Sequence, residues 1–210
     1  MINMLTRQAL KISLSTLGSP IYRNPFTGAL AFLTYEVRTK SIVNNAARFK
    51  VESPAALWVA PSFGGQLRKL KEFAGGSGEF WSIGWTKHRE FLVCQVAYTV
   101  GSNACRDLQA VRATDGATRA VYDGPSLAVA LDDAGGVILV LTPDRVLRFD
   151  AVSLQSSVAL VWDKPCTDTR LVPALEWSES EQVFVGRRCG ITFTVDANNM
   201  ARLLPRAQGQ

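Results

Sequence analysis

Histidine is nearly absent from this 210-residue chain: His88 stands alone. A single imidazole gives little scope for a histidine-based triad or a histidine-rich metal site. Cysteine is scarce too. Cys94, Cys105, Cys166 and Cys189 form no CxxC pair and no Cys/His ligand spacing, so no structural metal is expected. In a reducing compartment they read as buried small hydrophobes, although Cys94 and Cys105 flank a turn at Val100-Gly101-Ser102-Asn103 across which a bridge is feasible. No apolar run approaches the ~18 residues that a membrane span requires. Residues 1–18 carry Arg7 and Lys11, but Gln8, Ser13 and Ser15 interrupt what would be a signal-peptide core. The expectation is a cytoplasmic protein without a membrane partner.

What is present is the composition of an ordinary folded domain, 47% apolar and 20% charged. The net charge of +5 is a mild lean. Its clusters are short, such as Arg68-Lys69-Leu70-Lys71 and Arg187-Arg188, and no aromatic RNA-binding motif or basic helix accompanies them. A nucleic-acid partner is therefore not expected, and a protein with an acidic face suits the lean better.

The chain repeats itself. Ser82-Ile83-Gly84-Trp85, Ala128-Val129-Ala130-Leu131 and Ala174-Leu175-Glu176-Trp177 are short apolar strands, with Trp85, Leu131 and Trp177 spaced 46 apart. Each runs into a polar turn: Thr86-Lys87-His88-Arg89, Asp132-Asp133-Ala134-Gly135 and Ser178-Glu179-Ser180-Glu181. Each turn leads to a more apolar strand: Phe91-Leu92-Val93-Cys94, Val137-Ile138-Leu139-Val140 and Val183-Phe184-Val185. Ala31-Phe32-Leu33-Thr34-Tyr35 reads as the first inner strand of an earlier unit, and residues 37–47 as a longer hairpin loop.

Hairpins then flank the repeat. Leu57–Ala60 pairs with Gln66–Leu70, Leu108–Arg112 with Thr118–Tyr122, Val146–Asp150 with Ser157–Trp162, and Ile191–Val195 with Ala201–Leu204. Gly, Asp and Asn occupy the turns, where positive φ or a local side-chain bond is needed. This grammar, including the outer turn Ala113-Thr114-Asp115-Gly116-Ala117-Thr118-Arg119, resembles that of the beta-propeller superfamily. It departs from the WD-repeat kind, since Trp162-Asp163 occurs once only, and no kelch double-glycine pattern recurs. The resemblance implies an all-β, propeller-like array of about four four-stranded antiparallel blades; a β-sandwich or irregular barrel of hairpins is the alternative. As one domain over residues 1–210, the division is an N-terminal extension (1–29) with a candidate strand, blades at 30–78, 79–125, 126–169 and 170–205, and a tail at 206–210.

Chemistry is harder to find. His88 lies between Lys87 and Arg89 in a turn, with no nucleophile elbow beside it. Asp132-Asp133 and Glu176, Glu179 and Glu181 fall in the inner turns; acids there cap turns more often than they form a glycosidase pair. Gly64-Gly65, Gly75-Gly76-Ser77-Gly78 and Gly135-Gly136 lack the Lys-Ser/Thr and helix of a phosphate loop. No catalytic residue, metal or cofactor is assigned. Of the tryptophans, Trp85 and Trp177 at equivalent positions suit the core, whereas Trp81, out of phase with Ser82–Trp85, suits an exposed anchor. With Arg187 and Arg188 it forms the candidate partner-binding set, tryptophan and arginine being the usual anchors of interfaces. The expected function is a non-catalytic, stoichiometric protein-binding module of the kind exemplified by immunity proteins that neutralise bacterial toxins. The alternatives are a lyase or glycosidase using turn carboxylates, or a carbohydrate-binding module.

Overall fold

The computed structural model describes residues 20–34, 37–43, 46–51, 55–61, 65–73, 80–99, 102–163, 172–196, 198 and 200–204. Every regular element among them is a strand. The chain begins with β1 (Tyr22–Arg23) and β2 (Leu30–Thr34), inserts the hairpin β3 (Val37–Val43) and β4 (Ala46–Val51), and continues with β5 (Ala56–Ala60) and β6 (Arg68–Glu72). The first sheet has the order β1-β2-β5-β6, and the inserted hairpin makes a two-stranded sheet of its own. Next come β7 (Phe80–Trp85), β8 (Glu90–Thr99), β9 (Ser102–Arg112) and β10 (Thr118–Tyr122), then β11 (Ala128–Leu131), β12 (Val137–Leu141), β13 (Arg145–Asp150) and β14 (Ser156–Val161). The last four are β15 (Ala174–Ser178), β16 (Val183–Arg188), β17 (Ile191–Asp196) and β18 (Ala201–Leu203). Each set of four forms a sheet in sequence order. The fold is all-β and propeller-like, with four four-stranded antiparallel sheets.

The first sheet starts earlier than the sequence suggested. Tyr22–Arg23 lies within the residues set apart as an extension, yet it pairs with β2 through Tyr22↔Ala31 and Arg23↔Leu30. Residues 1–19 of the extension, among them the candidate strand read at 9–17 from its partial alternation of apolar and polar residues, the tail 206–210 and the glycines of residues 75–78 lie outside the described residues.

The apolar character of each second strand has a direct cause. A strand covered on both faces reads as a continuous apolar run, because neither set of alternating side chains reaches water. Ile138, Leu139, Val140 and Leu141 are all fully buried, as are Phe91 to Cys94. In β16 the pattern changes: Phe184 and Gly186 are buried while Val183 and Val185 are half-buried. That strand is covered mainly on one face.

The contacts divide the chain into two compact units, one of Met1–Trp85, Arg89–Val96 and Leu108–Ala120, the other of Thr86–His88, Ala97–Asp107 and Val121–Gln210. The core of the first is built from Ala31, Leu33, Leu57, Val59, Trp85 and Phe91 among others, with Tyr22 and Leu70 packed against it. The core of the second gathers Leu139, Leu141, Val146, Phe184, Phe193 and Val195. Trp177 packs against it but is only half-buried, so it does not share the depth of Trp85. The cysteines also differ from expectation. Cys94, Cys105 and Cys189 are disulfide-bonded, and no described cysteine is free.

Candidate functional site

Antiparallel meanders send alternate turns to the same sheet edge, which is how residues distant in sequence come together in the first unit. The turn from β1 to β2 is ordered by Asn24, whose buried Oδ1 accepts bonds from the N–H groups of Phe26 (2.8 Å) and Thr27 (3.0 Å). The turn from β7 to β8 ends in Arg89, whose backbone carbonyl accepts a bond from the N–H of Ala113 at 3.1 Å. That bond ties it to the turn between β9 and β10. Gly116 completes the latter turn at φ +76, and a Cβ there would stand 2.5 Å from the Leu70 carbonyl oxygen, so the turn needs glycine.

These turns enclose a cleft of about 320 Å³, at the small end of the ~300–1,000 Å³ usual for small-molecule sites. Ala29, Val59, Pro61 and Trp85 give it an apolar lining, and Thr27 and Thr114 line it as well. Trp85 is held by its own bond, the indole Nε1 donating to the Tyr22 carbonyl at 3.2 Å. Arg68 follows the core face of the first sheet outward, opposite Val59, which in turn faces Ala31. Its Nη2 donates to the carbonyls of Ala113 and Thr114. Arg89 also lines the cleft and is exposed. No carboxylate is among the described residues that line it. The acids nearby in sequence are engaged elsewhere: Glu90 is buried against Arg119, with Arg119 Nε to Oε1 at 2.9 Å, and Asp115 holds Arg112 at 3.0 Å. Glu90 in turn raises the Arg119 pKa through its hydrogen bond.

The residues singled out from sequence do not converge on this cleft. Trp81 is half-buried in β7, its Cα opposite that of Cys94, rather than an exposed anchor. Arg187 is exposed. Arg188 is the clear correction: only 4% exposed, it stacks over Trp162 with 4.9 Å from Cζ to the ring centroid and donates to the Pro143 carbonyl. Burial pulls its pKa down, opposed by the charge of Asp144. A guanidinium so enclosed is part of the packing and offers no contact to a partner. His88 is exposed in its turn. Asp132 is a turn cap, its Oδ1 accepting from Gly136 N–H at 2.7 Å and Val137 N–H at 2.9 Å, and Glu176, Glu179 and Glu181 are exposed. Sequence reasoning missed Arg68 and Arg89 as site residues. The available signal was the turn alignment, in which Arg89 occupies the place that Gly135 takes in the third sheet.

No protein-family model matches the chain, and no curated protein matches it in sequence. Solved structures do match. An oligogalacturonate lyase from Vibrio parahaemolyticus aligns with TM-score 0.62 at 9% identity, over 95% of this chain and 57% of that one. A puromycin-hydrolyzing peptidase from Mycobacterium tuberculosis gives 0.54 at 16% identity, over 91% and 29%. An auxiliary nutrient binding protein from Bacteroides thetaiotaomicron gives 0.53 at 8% identity, over 93% and 44%. The chain thus spans less than two thirds of the length of each. These likenesses establish the fold. They also correct the functional expectation: the structures sharing this fold include enzymes and a nutrient-binding protein, and nothing supports a non-catalytic module of the immunity kind.

Proposed function

We propose that this chain is a carbohydrate-directed propeller domain that takes a saccharide into the cleft between its first two sheets. The observation that carries this reading is the cleft itself, of small-molecule size, with an apolar lining at Trp85, Val59 and Pro61 and polar residues, Thr27, Thr114, Arg68 and Arg89, among those that line it. Apolar walls with a few placed polar groups are what small-molecule sites use, the former for affinity and the latter for orientation. A sugar ring presents both a C–H face and hydroxyls to match. Support comes from the company the fold keeps, which includes a lyase named for oligogalacturonate and a protein named for nutrient binding.

The disulfide-bonded state of Cys94, Cys105 and Cys189 supports an oxidising compartment in place of the cytoplasm expected from sequence. Such a compartment suits a protein that meets saccharides outside the cell. Calorimetric titration of the chain with a panel of neutral and acidic oligosaccharides tests the reading. Saturable binding of at least one, competing at a single site, is expected. Product analysis of the same mixtures separates a lyase or glycosidase, which shortens the bound saccharide, from a binding domain, which returns it intact. Heat-neutral titrations across the panel would end the carbohydrate reading.

A further inference from the structure

The first turn of each sheet ends in a residue with positive φ: Gly28 (+72), Arg89 (+63), Gly135 (+60) and Gln182 (+53). Glycine takes this left-handed conformation freely, whereas a side-chain-bearing residue does so at a cost. Gln182 repays it locally, its Nε2 donating to the Glu179 carbonyl at 2.8 Å and closing its own turn. Arg89 has no such side-chain bond to a described residue; its turn is held instead by the Ala113 N–H on its backbone carbonyl. Its side chain is exposed, and it lines the cleft together with Arg68.

Arg68 has capacity to spare. A guanidinium carries five N–H donors, and the two carbonyls of Ala113 and Thr114 engage only Nη2. Those carbonyls fix the planar fork in place. Two arginines therefore line one largely apolar cleft, Arg68 anchored by its carbonyl partners and Arg89 with no side-chain bond to a described residue, and no carboxylate is among the described lining. Two like charges at a shared site repel unless an anion stands between them.

We propose that Arg68 and Arg89 form an oxyanion clamp, so that the ligand of this cleft carries a carboxylate or phosphate on a body that fits the apolar wall beside Trp85. This rests on the saccharide reading and narrows it to acidic sugars. Arginine matches such groups because its fork meets two oxygens at once, and charge-assisted bonds of this kind are the strong ones.

Calorimetry with the whole chain compares four probes: digalacturonate, its neutral counterpart digalactose, glucose 6-phosphate and acetate. Each is titrated into the natural protein, Arg89→Gly and Arg89→Lys. Because two of the three sister turns carry glycine at this place, Gly28 and Gly135, and glycine adopts its positive φ freely, Arg89→Gly is expected to melt no lower than the natural protein, so a loss of binding is not a loss of fold. The clamp predicts that an acidic sugar binds about tenfold or more tighter than digalactose. It further predicts that Arg89→Gly erases that preference and that Arg89→Lys keeps part of it. Preference for digalacturonate over glucose 6-phosphate identifies the carboxylate as the oxyanion, and the reverse identifies the phosphate. Equal binding of digalacturonate and digalactose, or an Arg89→Gly protein that still prefers the acid, would overturn the clamp while leaving a saccharide site standing. Acetate binding as tightly as digalacturonate would keep the clamp and remove the sugar. Silence from all four probes would overturn both.

Discussion

The Trp85 indole meets the Phe91 ring edge-on, with centroids 5.2 Å apart and planes at 67°. Trp177 repeats the arrangement on Phe184 at 4.8 Å and the same 67°. In both cases the partners sit opposite one another across the first two strands of a sheet. The pairs differ in depth, Trp85 being 4% exposed and Trp177 half-buried. Trp85→Ala should therefore cost about 3–5 kcal/mol, as large aromatic truncations in cores do, and Trp177→Ala clearly less. Denaturant titration of the two variants checks this; equal losses would show that the two positions are alike after all.

Gly186 is where a side chain cannot go. A Cβ there would stand 2.0 Å from the Phe193 ring, which lies across the glycine and meets Trp162 edge-on at 5.4 Å. Gly186→Ala should destabilise the protein by about 1–3 kcal/mol, the usual penalty of overpacking. Pairing it with Phe193→Leu should recover part of the loss. A Gly186→Ala protein as stable as the natural one would mean that Phe193 packs elsewhere.

Acid should unfold the chain partly through its turn caps. Asp150 accepts bonds from the N–H groups of Ser153 at 2.8 Å and Val152 at 3.0 Å. The Ser153 backbone bond, foremost, holds its pKa below the ordinary carboxylate value. Asp115 is lowered first by its bond from Ala117. A carboxyl depressed in the folded state stabilises the fold above its unfolded pKa. As pH falls below that value the unfolded chain takes up protons first, and the contribution is lost by the time pH passes the folded pKa. Stability should thus decline on acidification from the ordinary aspartate range downward. Asp150→Asn should show a shallower decline there, and an unchanged slope in acid denaturation would count against the cap.

Thiol titration of the denatured, unreduced protein should find no free sulfhydryl at Cys94, Cys105 or Cys189. Reduction should then lower stability by about 2–5 kcal/mol per bridge lost. Stoichiometric thiols before reduction would return the protein to the reducing setting first expected.

Much of the architecture was legible because its causes are local. Strands covered on both faces must be apolar, and Asp115, Asp150 and Asp196 recur in three outer turns because each bonds backbone N–H groups of its own turn. What was not legible depends on tertiary contact. Tyr22–Arg23 is too short to announce a strand; it is held by pairing with β2 and by a bond from the Tyr22 hydroxyl to the Ser82 carbonyl at 3.1 Å. Arg188 beside Arg187 looked like surface, yet it points into the packing over Trp162 because its neighbour in the strand takes the other face. The cleft arises only when turns from separate sheets meet, so Arg68 and Arg89, 21 residues apart, carried no shared signal.

Chemical-shift mapping of digalacturonate on the isotope-labelled chain tests the cleft most directly. Saturable, concerted shifts of the Trp85 indole N–H and of the backbone amides of Arg89, Ala113 and Thr114 are expected, with the Trp162 and Trp177 indoles unmoved. Shifts that leave Trp85 and Arg89 untouched and gather around Trp162 or Trp177, or no shifts at all, would contradict it.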